Sequence, residues 1–149
     1  MNSRSQIALD CNIFYVDDDR DDLELFQEMA ESLGENVCVF SSAELMMHTL
    51  NNPPPDPTVL FVDLNMPIRN GYEVLAELRA SPIFKEIPIV VLSTASAPDI
   101  ITRCLNLGAS LYVVKPTAMK DLRNLIQYVA GIEWKTREVT TDNFLYKAK

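Results

Sequence analysis

Five short apolar runs recur along the chain, and their spacing limits the possible folds more than any other feature. They cover residues 13–16, 37–40, 59–62, 89–92 and 111–114. Their starts are 24, 22, 30 and 22 residues apart, which is too far for hairpins and suits crossovers that contain a helix. The runs are apolar on consecutive residues and rich in Val, Ile, Phe and Tyr, as is typical of parallel strands covered by helices on both faces.

Apolar residues at spacings of three and four lie after each run and predict five helices. The five stripes start at Leu23, Leu45, Val74, Ile100 and Leu122. Gly34, Gly108 and Gly131 follow three of them, where glycine commonly ends a helix. Five β–α units with right-handed crossovers predict an α/β fold, a five-stranded parallel sheet with helices on both faces. The common strand order for such a sheet is 2-1-3-4-5.

Composition and charge exclude several classes of protein. The chain has 149 residues, of which 48% are hydrophobic, so one domain with a short extension is expected. Its net charge is −8, which disfavours nucleic acid as a partner because phosphate contacts need a basic surface. No run approaches the roughly 18 apolar residues of a membrane helix, and residues 1–12 lack the apolar core of an export signal. We therefore expect a cytoplasmic protein without a membrane partner.

The cysteines support the same location. The chain has three cysteines, which is an odd number, and they are widely spaced and lie among apolar residues: Cys11, Cys38 and Cys104. This pattern favours buried thiols in a reducing compartment over disulfides or a metal cluster.

Polar residues follow four of the five predicted strands. They are Asp17, Asp18 and Asp19 after the first strand, Asp63 and then Asn65 after the third, Ser93 and Thr94 after the fourth, and Lys115 after the fifth. Ligands of open α/β sheets bind beyond the carboxyl ends of the strands. Of these groups, three acids (Asp17, Asp18 and Asp63), a hydroxyl and an ammonium are expected to meet at one rim of the sheet.

The acids at this rim require a counter-charge. Two carboxylates about 4 Å apart repel by roughly 4 kcal/mol at an effective dielectric constant near 20. Lys115 would supply one positive charge to Asp17, Asp18 and Asp63, and Mg²⁺, which prefers oxygen ligands, would supply the rest. A cation, a lysine and a hydroxyl around one carboxylate suit phosphoryl transfer, in which the carboxylate attacks phosphorus in line.

Motifs at these strand ends resemble the receiver domain of two-component response regulators over about residues 10–131. Phe14-Tyr-Val-Asp-Asp-Asp resembles the acidic pair of the family, and Phe61-Val-Asp-Leu-Asn-Met-Pro, with Gly71 beyond, resembles its phosphoacceptor motif. Ser93 lies 30 residues after Asp63 and 22 before Lys115, which fits the family's switch hydroxyl. The Asp63 motif and Leu92-Ser-Thr also resemble stand-alone receivers of the kind that partner cyanobacterial phytochromes.

The resemblance implies a flavodoxin-like receiver fold and a role for each matched residue. Asp63 would be the phosphoacceptor, with Ser93, Thr94 and Lys115 around the phosphoryl group. Asp17, Asp18, Asp63 and the backbone carbonyl of Asn65 would bind Mg²⁺. Ser93 and Tyr112 would form a switch, and the Lys115–Pro116 peptide would be cis.

The implied function is that of a single-domain response regulator. A histidine kinase or a histidine phosphotransfer protein would donate the phosphoryl group, and the only chemistry would be self-phosphorylation and self-dephosphorylation. Without an output domain, the signal would leave by protein–protein contact or by phosphoryl relay. The face made by the fourth helix, fifth strand and fifth helix is the expected switching surface, and a homodimer through that face is one interpretation.

One departure from the family pattern and two rival functions stand beside this hypothesis. Thr94 occupies a position where a small residue is usual, and its branched side chain is expected to narrow access to Asp63. One rival is a constitutive interaction module whose acids only stabilise the fold. The other is a phosphohydrolase, which would need a second acid where Asn65 stands. His48, the single histidine, is interpreted as a packed or surface residue.

The tail, residues 132–149, is too short for a second domain. It contains Ile132, Trp134, Val139, Phe144, Leu145 and Tyr146, which is more apolar than an idle linker requires. Docking on its own domain, docking on a second subunit or a partner, and a frayed end are the alternatives.

Overall fold

A computed structural model describes residues 11–148 and contains the predicted parallel sheet. Its strands are β1 (Ile13–Val16), β2 (Val37–Phe40), β3 (Val59–Val62), β4 (Ile89–Ser93) and β5 (Leu111–Val114). All neighbours pair in parallel, in the order β2-β1-β3-β4-β5. The strand order confirms the sequence prediction, and it places β1 and β3 at the centre of the site described below.

Five helices connect the strands. They are α1 (Arg20–Ser32), α2 (Ala43–Leu50), α3 (Gly71–Ala80), α4 (Pro98–Asn106) and α5 (Met119–Ala130). Asp19 caps α1 by accepting hydrogen bonds from the backbone of Asp21 and Asp22, and Asn70 begins α3 in a capping box with Glu73. Within residues 11–148, none of the helices has the length and apolar character needed to cross a bilayer.

Alternate residues of each strand feed two separate apolar clusters, one on each face of the sheet. Tyr15, Phe61 and Val90 pack with Phe26 of α1 and Leu125 of α5. The opposite cluster contains strand residues such as Phe14, Leu60 and Val91, together with Met46 of α2, Leu75 of α3 and Cys104 of α4. The strands are apolar on consecutive residues because both of their faces are covered.

The C-terminal segment, residues 132–148, packs along the outer edge of β5. Leu145 forms a parallel bridge with Tyr112, whose N–H donates to the Phe144 carbonyl at 2.9 Å and whose carbonyl accepts from the Tyr146 N–H at 2.8 Å. The Phe144 side chain is 2% exposed. Arg137 donates to the carbonyls of Ser110 and Asn143, each at 2.7 Å. The segment therefore adds a short extended stretch to the edge of the sheet.

Two of the three cysteines differ from the expectation of free thiols. Cys11 and Cys38 form a disulfide with Cα atoms 5.9 Å apart, whereas Cys104 is free and buried. The expectation of free thiols is therefore wrong for Cys11 and Cys38. Because they are 27 residues apart in the chain, no local pattern indicated that they are neighbours. Cys11 lies two residues before β1, and Cys38 is the second residue of β2, the strand that pairs with β1.

Candidate functional site

The carboxyl ends of β1, β3 and β5 bring four predicted site residues together. Carboxylate oxygens of Asp17, Asp18 and Asp63 lie within 4.8 Å of one another. The Lys115 Nζ lies 2.7 Å from the Asp17 Oδ2 and 3.9 Å from the Asp63 Oδ1. Asp17 and Asp63 are buried, while Asp18 is exposed. Three acids and one ammonium therefore share the rim that the sequence indicated.

Backbone hydrogen bonds extend the sheet by one residue at each of these positions. Asp17 N donates to the Phe40 carbonyl and Asp63 N to the Val16 carbonyl, both at 3.1 Å. Lys115 N donates to the Ser93 carbonyl at 2.8 Å. Because the sheet itself holds these backbones, the charged side chains are placed by the most rigid part of the fold.

Gly71 lets the loop after β3 fold tightly behind Asp63. Its N–H donates to the Leu64 carbonyl at 3.0 Å. A Cβ at this position would lie 2.4 Å from the Asp63 carbonyl oxygen and 2.8 Å from the Leu64 Cα. Both of those atoms belong to the backbone, so a larger residue would displace the loop that carries Asp63.

Asp17 is fixed by hydrogen bonds on both of its carboxylate oxygens. Its Oδ2 accepts from the Tyr15 hydroxyl and from Lys115, and its Oδ1 accepts from the Asp19 N–H at 3.0 Å. Burial alone would raise the pKa of Asp17, but the hydrogen bonds from Lys115 and Tyr15 outweigh it and lower the pKa. Asp17 is therefore held as a carboxylate.

For Asp63, the effects that raise the pKa outweigh those that lower it. Burial and then the charge of Asp17 raise its pKa to about 7, although Lys115 and the Asn65 N–H act in the other direction. The surrounding protein therefore does not stabilise the Asp63 carboxylate enough to keep it fully ionised near neutral pH. A bound cation would favour the charged form, since a nearby positive charge lowers the pKa of an acid.

Two members of the site, Asp22 and Tyr15, were not predicted from the sequence. The Lys115 Nζ lies 2.8 Å from the Asp22 Oδ2, which projects from the first turn of α1. Burial would lower the pKa of Lys115, but its hydrogen bonds to Asp17 and Asp22 raise it well above the usual value. Tyr15 was counted among the apolar strand residues. Its position two residues before Asp17, on the same face of β1, is the signal that could have identified it.

Ser93 and Tyr112, the predicted switch residues, both contact Ala95. The Ser93 Oγ accepts from the Ala95 N–H at 3.2 Å, and the Tyr112 hydroxyl donates to the Ala95 carbonyl at 2.7 Å. Both residues are fully buried. Thr94, between Ser93 and Ala95, is exposed. A displacement of Ser93 would therefore reach Tyr112 through one short stretch of backbone.

The predicted cis peptide at Lys115–Pro116 is not present. Within residues 11–148 the cis bonds are Pro53–Pro54 and Pro54–Pro55. The prediction is wrong because trans and cis differ by only about 0.5–1 kcal/mol before a proline, so the dipeptide alone does not decide the isomer.

The donor set fits a hard divalent cation. Asp17, Asp18 and Asp63 offer carboxylate oxygens, the ligands that Mg²⁺ and Mn²⁺ prefer. Asn65, the fourth predicted ligand, is exposed in the loop after β3, and its backbone N–H hydrogen-bonds to the Asp63 carboxylate. Asp22 brings a fourth carboxylate to the rim, and Lys115 contacts it, Asp17 and Asp63. One ammonium leaves this cluster negatively charged, so a divalent cation would relieve the repulsion.

Comparison with known sequences identifies the family. The response regulator receiver domain matches residues 13–127. The response regulator Rcp1 of Synechocystis sp. is 31% identical over 128 residues, which cover 81% of this chain and 85% of that protein. The two-component response regulator ORR11 of Oryza sativa subsp. indica is 30% identical over 118 residues, covering 79% of this chain and 80% of its own length.

Solved structures agree with this assignment. The Mn²⁺-bound form of Rcp1 superimposes with a TM-score of 0.71 at 28% identity, covering 87% of this chain and 98% of that one. The phosphorylated cyanobacterial phytochrome response regulator RcpA gives a TM-score of 0.73 at 27% identity, covering 89% and 99%. The resemblance inferred from the strand-end motifs is confirmed.

Proposed function

Because this chain belongs to the response regulator receiver family, we propose that it is a response regulator whose phosphoacceptor is Asp63. One observation carries the proposal: Asp63 lies buried at the end of β3, 3.9 Å from Lys115 and in a cluster of three acids whose oxygens lie within 4.8 Å. That arrangement combines a nucleophile, a cation site and a fixed ammonium at a single position.

The chemistry is transfer of a phosphoryl group to a carboxylate. An Asp63 oxygen attacks the phosphorus of a phosphohistidine in line, an O–P bond forms, the P–N bond breaks and its electron pair stays on the imidazole nitrogen. Mg²⁺ held by Asp17, Asp18, Asp63 and the Asn65 carbonyl would supply positive charge to the phosphoryl oxygens. Lys115 and the Ser93 hydroxyl donate hydrogen bonds to those oxygens. Thr94 narrows the approach of water and so slows hydrolysis.

The proposed donor is a histidine kinase or a histidine phosphotransfer protein. An apolar groove between α1 and α5 lies beside Lys115 and includes Leu25 and Met119, which are 43% and 46% exposed. A helix that presents phosphohistidine at the rim could pack its apolar face into this groove. A histidine kinase takes the phosphoryl group from ATP, and the proposed location of the reaction is therefore the cytoplasm. The proposal involves neither nucleic acid nor a membrane.

The signal is proposed to leave through the face formed by α4, β5 and α5, which includes the C-terminal segment that lies along β5. Movement of the Ser93 hydroxyl toward a phosphoryl oxygen would break its bond to Ala95 and disturb the Tyr112 hydroxyl, which contacts the same residue. Phosphorylation would then shift the population between two packings of this face. A downstream protein, or a second copy of the chain, would bind one packing better than the other.

Acetyl phosphate with Mg²⁺ tests the phosphoacceptor. Wild-type protein should gain the mass of one phosphoryl group, and Asp63→Asn should gain none. Asp56→Asn is the matched control, because Asp56 is an exposed acid in the loop before β3 and should not affect the reaction. Phosphorylation of Asp63→Asn at the wild-type rate would exclude Asp63 as the acceptor.

Beryllium fluoride separates this function from the constitutive interaction module. It mimics an acyl phosphate, so the proposal expects a saturable, Mg²⁺-dependent change in Trp134 fluorescence, which Asp63→Asn should abolish. Trp134 reports on the C-terminal segment because it lies beside Arg137, 5.6 Å from the guanidinium carbon to the ring centroid. The interaction module predicts no change. Repeated turnover of small phosphate esters would instead favour a phosphohydrolase.

A further inference from the structure

Tyr15 presents a hydroxyl group to the acidic site from inside the apolar core. Its side chain is 1% exposed, and its ring packs on Phe26 and Phe61 at centroid distances of 4.6 and 6.4 Å. Successive residues of a strand point to opposite faces, so Tyr15 and Asp17 project from β1 on the same side. The core thus fixes the ring, and the strand aims its hydroxyl at Asp17.

The Tyr15 hydroxyl completes the set of donors around a fully buried carboxylate. It donates to the Asp17 Oδ2, which also accepts from Lys115 at 2.7 Å, while the Asp19 N–H donates to the Oδ1 at 3.0 Å. Lys115 is shared with Asp22 at 2.8 Å and lies 3.9 Å from Asp63. Lys115 can shift from Asp17 toward a phosphoryl group on Asp63. Tyr15 cannot, because its ring is packed in the core, so its hydroxyl stays beside Asp17.

We propose that Tyr15 is a positioning residue of the phosphoacceptor site, and that its hydroxyl holds the Asp17 carboxylate in the orientation that binds the divalent cation. The inference rests on the proposed function, since it requires that Asp17 binds a cation. Partners that hydrogen-bond to metal ligands orient those ligands, and their removal typically reduces metal affinity or activity by about 10–100-fold. We therefore expect an effect near the lower end of that range for the loss of one of three donors.

A purely structural role for the hydroxyl makes a different prediction. A buried phenol needs an acceptor, and Asp17 would satisfy that need whether or not it binds a cation. Removing the hydroxyl would then change the thermal stability but leave cation affinity unchanged. Tyr15→Phe distinguishes the two, because it keeps the ring contacts with Phe26 and Phe61 and removes the single oxygen.

Calorimetric titration with Mg²⁺ of the full chain gives the decisive comparison. Tyr15→Phe should raise the dissociation constant for Mg²⁺ about tenfold, whereas Tyr128→Phe, which loses a hydroxyl from the exposed face of α5, should leave it unchanged. With acetyl phosphate, the Mg²⁺ concentration for half-maximal rate should rise by the same factor. The rate at saturating Mg²⁺ should return to nearly the wild-type value.

A second variant keeps the test independent of any change in packing. In an Asp17→Asn background, adding Tyr15→Phe should cause no further loss of Mg²⁺ affinity, because the carboxylate that Tyr15 orients is already gone. An unchanged dissociation constant in Tyr15→Phe would overturn the inference, as would equal losses in the two backgrounds. If wild-type protein bound no Mg²⁺ and took no phosphoryl group, the proposed function itself would be excluded, which is a separate outcome.

Discussion

The rim that carries Asp63 and the β5 edge that carries the C-terminal segment are built from different kinds of contact. At the rim, Asp17, Asp63 and Lys115 each stand directly after a strand, so the sheet places them. At the β5 edge, Phe144 reaches Tyr112 only after the chain has passed through α5 and turned back. A cluster of charged side chains can therefore follow from strand order alone, whereas an edge contact depends on where a long connection returns.

Phe144→Ala tests this difference most directly. It should destabilise the packing at the β5 edge and leave the arrangement of the acids at the rim unchanged. Removal of a fully buried phenylalanine side chain should lower the free energy of unfolding by about 3–5 kcal/mol. Urea unfolding measures the loss, with Val139→Ala as the control, since Val139 is 39% exposed in the same segment. Phosphorylation by acetyl phosphate should persist, because Phe144 packs on Tyr112 at the β5 edge and not in the acidic cluster of Asp17, Asp18 and Asp63. Wild-type stability in Phe144→Ala would mean that the segment does not dock.

Reduction of the Cys11–Cys38 pair extends the comparison to another contact between distant residues. Closing a loop with a sequence separation of 27 should stabilise the fold by about 3–4 kcal/mol on the chain-entropy scale. Urea unfolding with and without reductant measures this difference. A double variant, Cys11→Ser with Cys38→Ser, should not respond to the reductant. Equal stability of the wild-type protein in both conditions would show that the pair contributes nothing.

Gly71→Ala should affect the rim and leave the β5 edge intact. The added Cβ would meet the Asp63 carbonyl oxygen, so the loop must move, and the expected cost is about 1–3 kcal/mol together with slower phosphorylation. Gly131→Ala is the control, because its Cβ would meet the Gln127 carbonyl at an ordinary 3.5 Å. Equal phosphorylation rates in the two variants would contradict the role assigned to Gly71.

Asp63→Asn should stabilise the rim in a pH-dependent manner when Mg²⁺ is chelated. Because the pKa of Asp63 is raised to about 7, the folded protein holds a proton that the unfolded chain releases near pH 4, so wild-type stability falls as the pH rises through this window. At pH 8 the free energy of unfolding of the variant should exceed that of the wild type by about 1–2 kcal/mol. Removing the buried Asp63 charge stabilises the fold, but the variant also loses the attraction between Asp63 and Lys115, which offsets part of this gain.

Thermal unfolding from pH 4 to pH 8 checks this expectation, with Asp56→Asn as the control. The stability difference between Asp63→Asn and wild type should grow across that range and vanish near pH 4. A constant difference would mean that Asp63 titrates as an ordinary surface acid. Saturating Mg²⁺ should remove the difference, because the cation replaces the missing counter-charge.

The sequence allowed the sheet to be predicted almost residue by residue. The predicted limits of β1, β2, β3 and β5 coincide with the observed ones, and β4 extends by one residue to Ser93. Strands covered on both faces are continuous apolar runs, and the polar residue that ends each run marks its limit. The same polar residues were the site candidates, so predicting the strands also located the rim.

The contacts of Asp22 and Tyr15 were not predicted in this way. Asp22 lies in the first turn of α1, where acids are common because they interact favourably with the helix dipole, so its residue type did not indicate a contact with β5. Tyr15 was expected only to pack in the core. In both cases the residue type agreed with an ordinary local role. The Asp22–Lys115 contact depends on how α1 and β5 are placed across the sheet, whereas the Tyr15–Asp17 contact requires only their shared face of β1.

From its sequence alone, this chain specifies which residues form strands and which polar groups stand at the strand ends, because each strand is a consecutive run of apolar residues with a polar residue at its end. Tertiary structure decides which distant groups then meet: Asp22 with Lys115, Cys11 with Cys38 and Phe144 with Tyr112. The physical reason is that each of these contacts depends on the orientation of two separately placed elements, which no local pattern encodes.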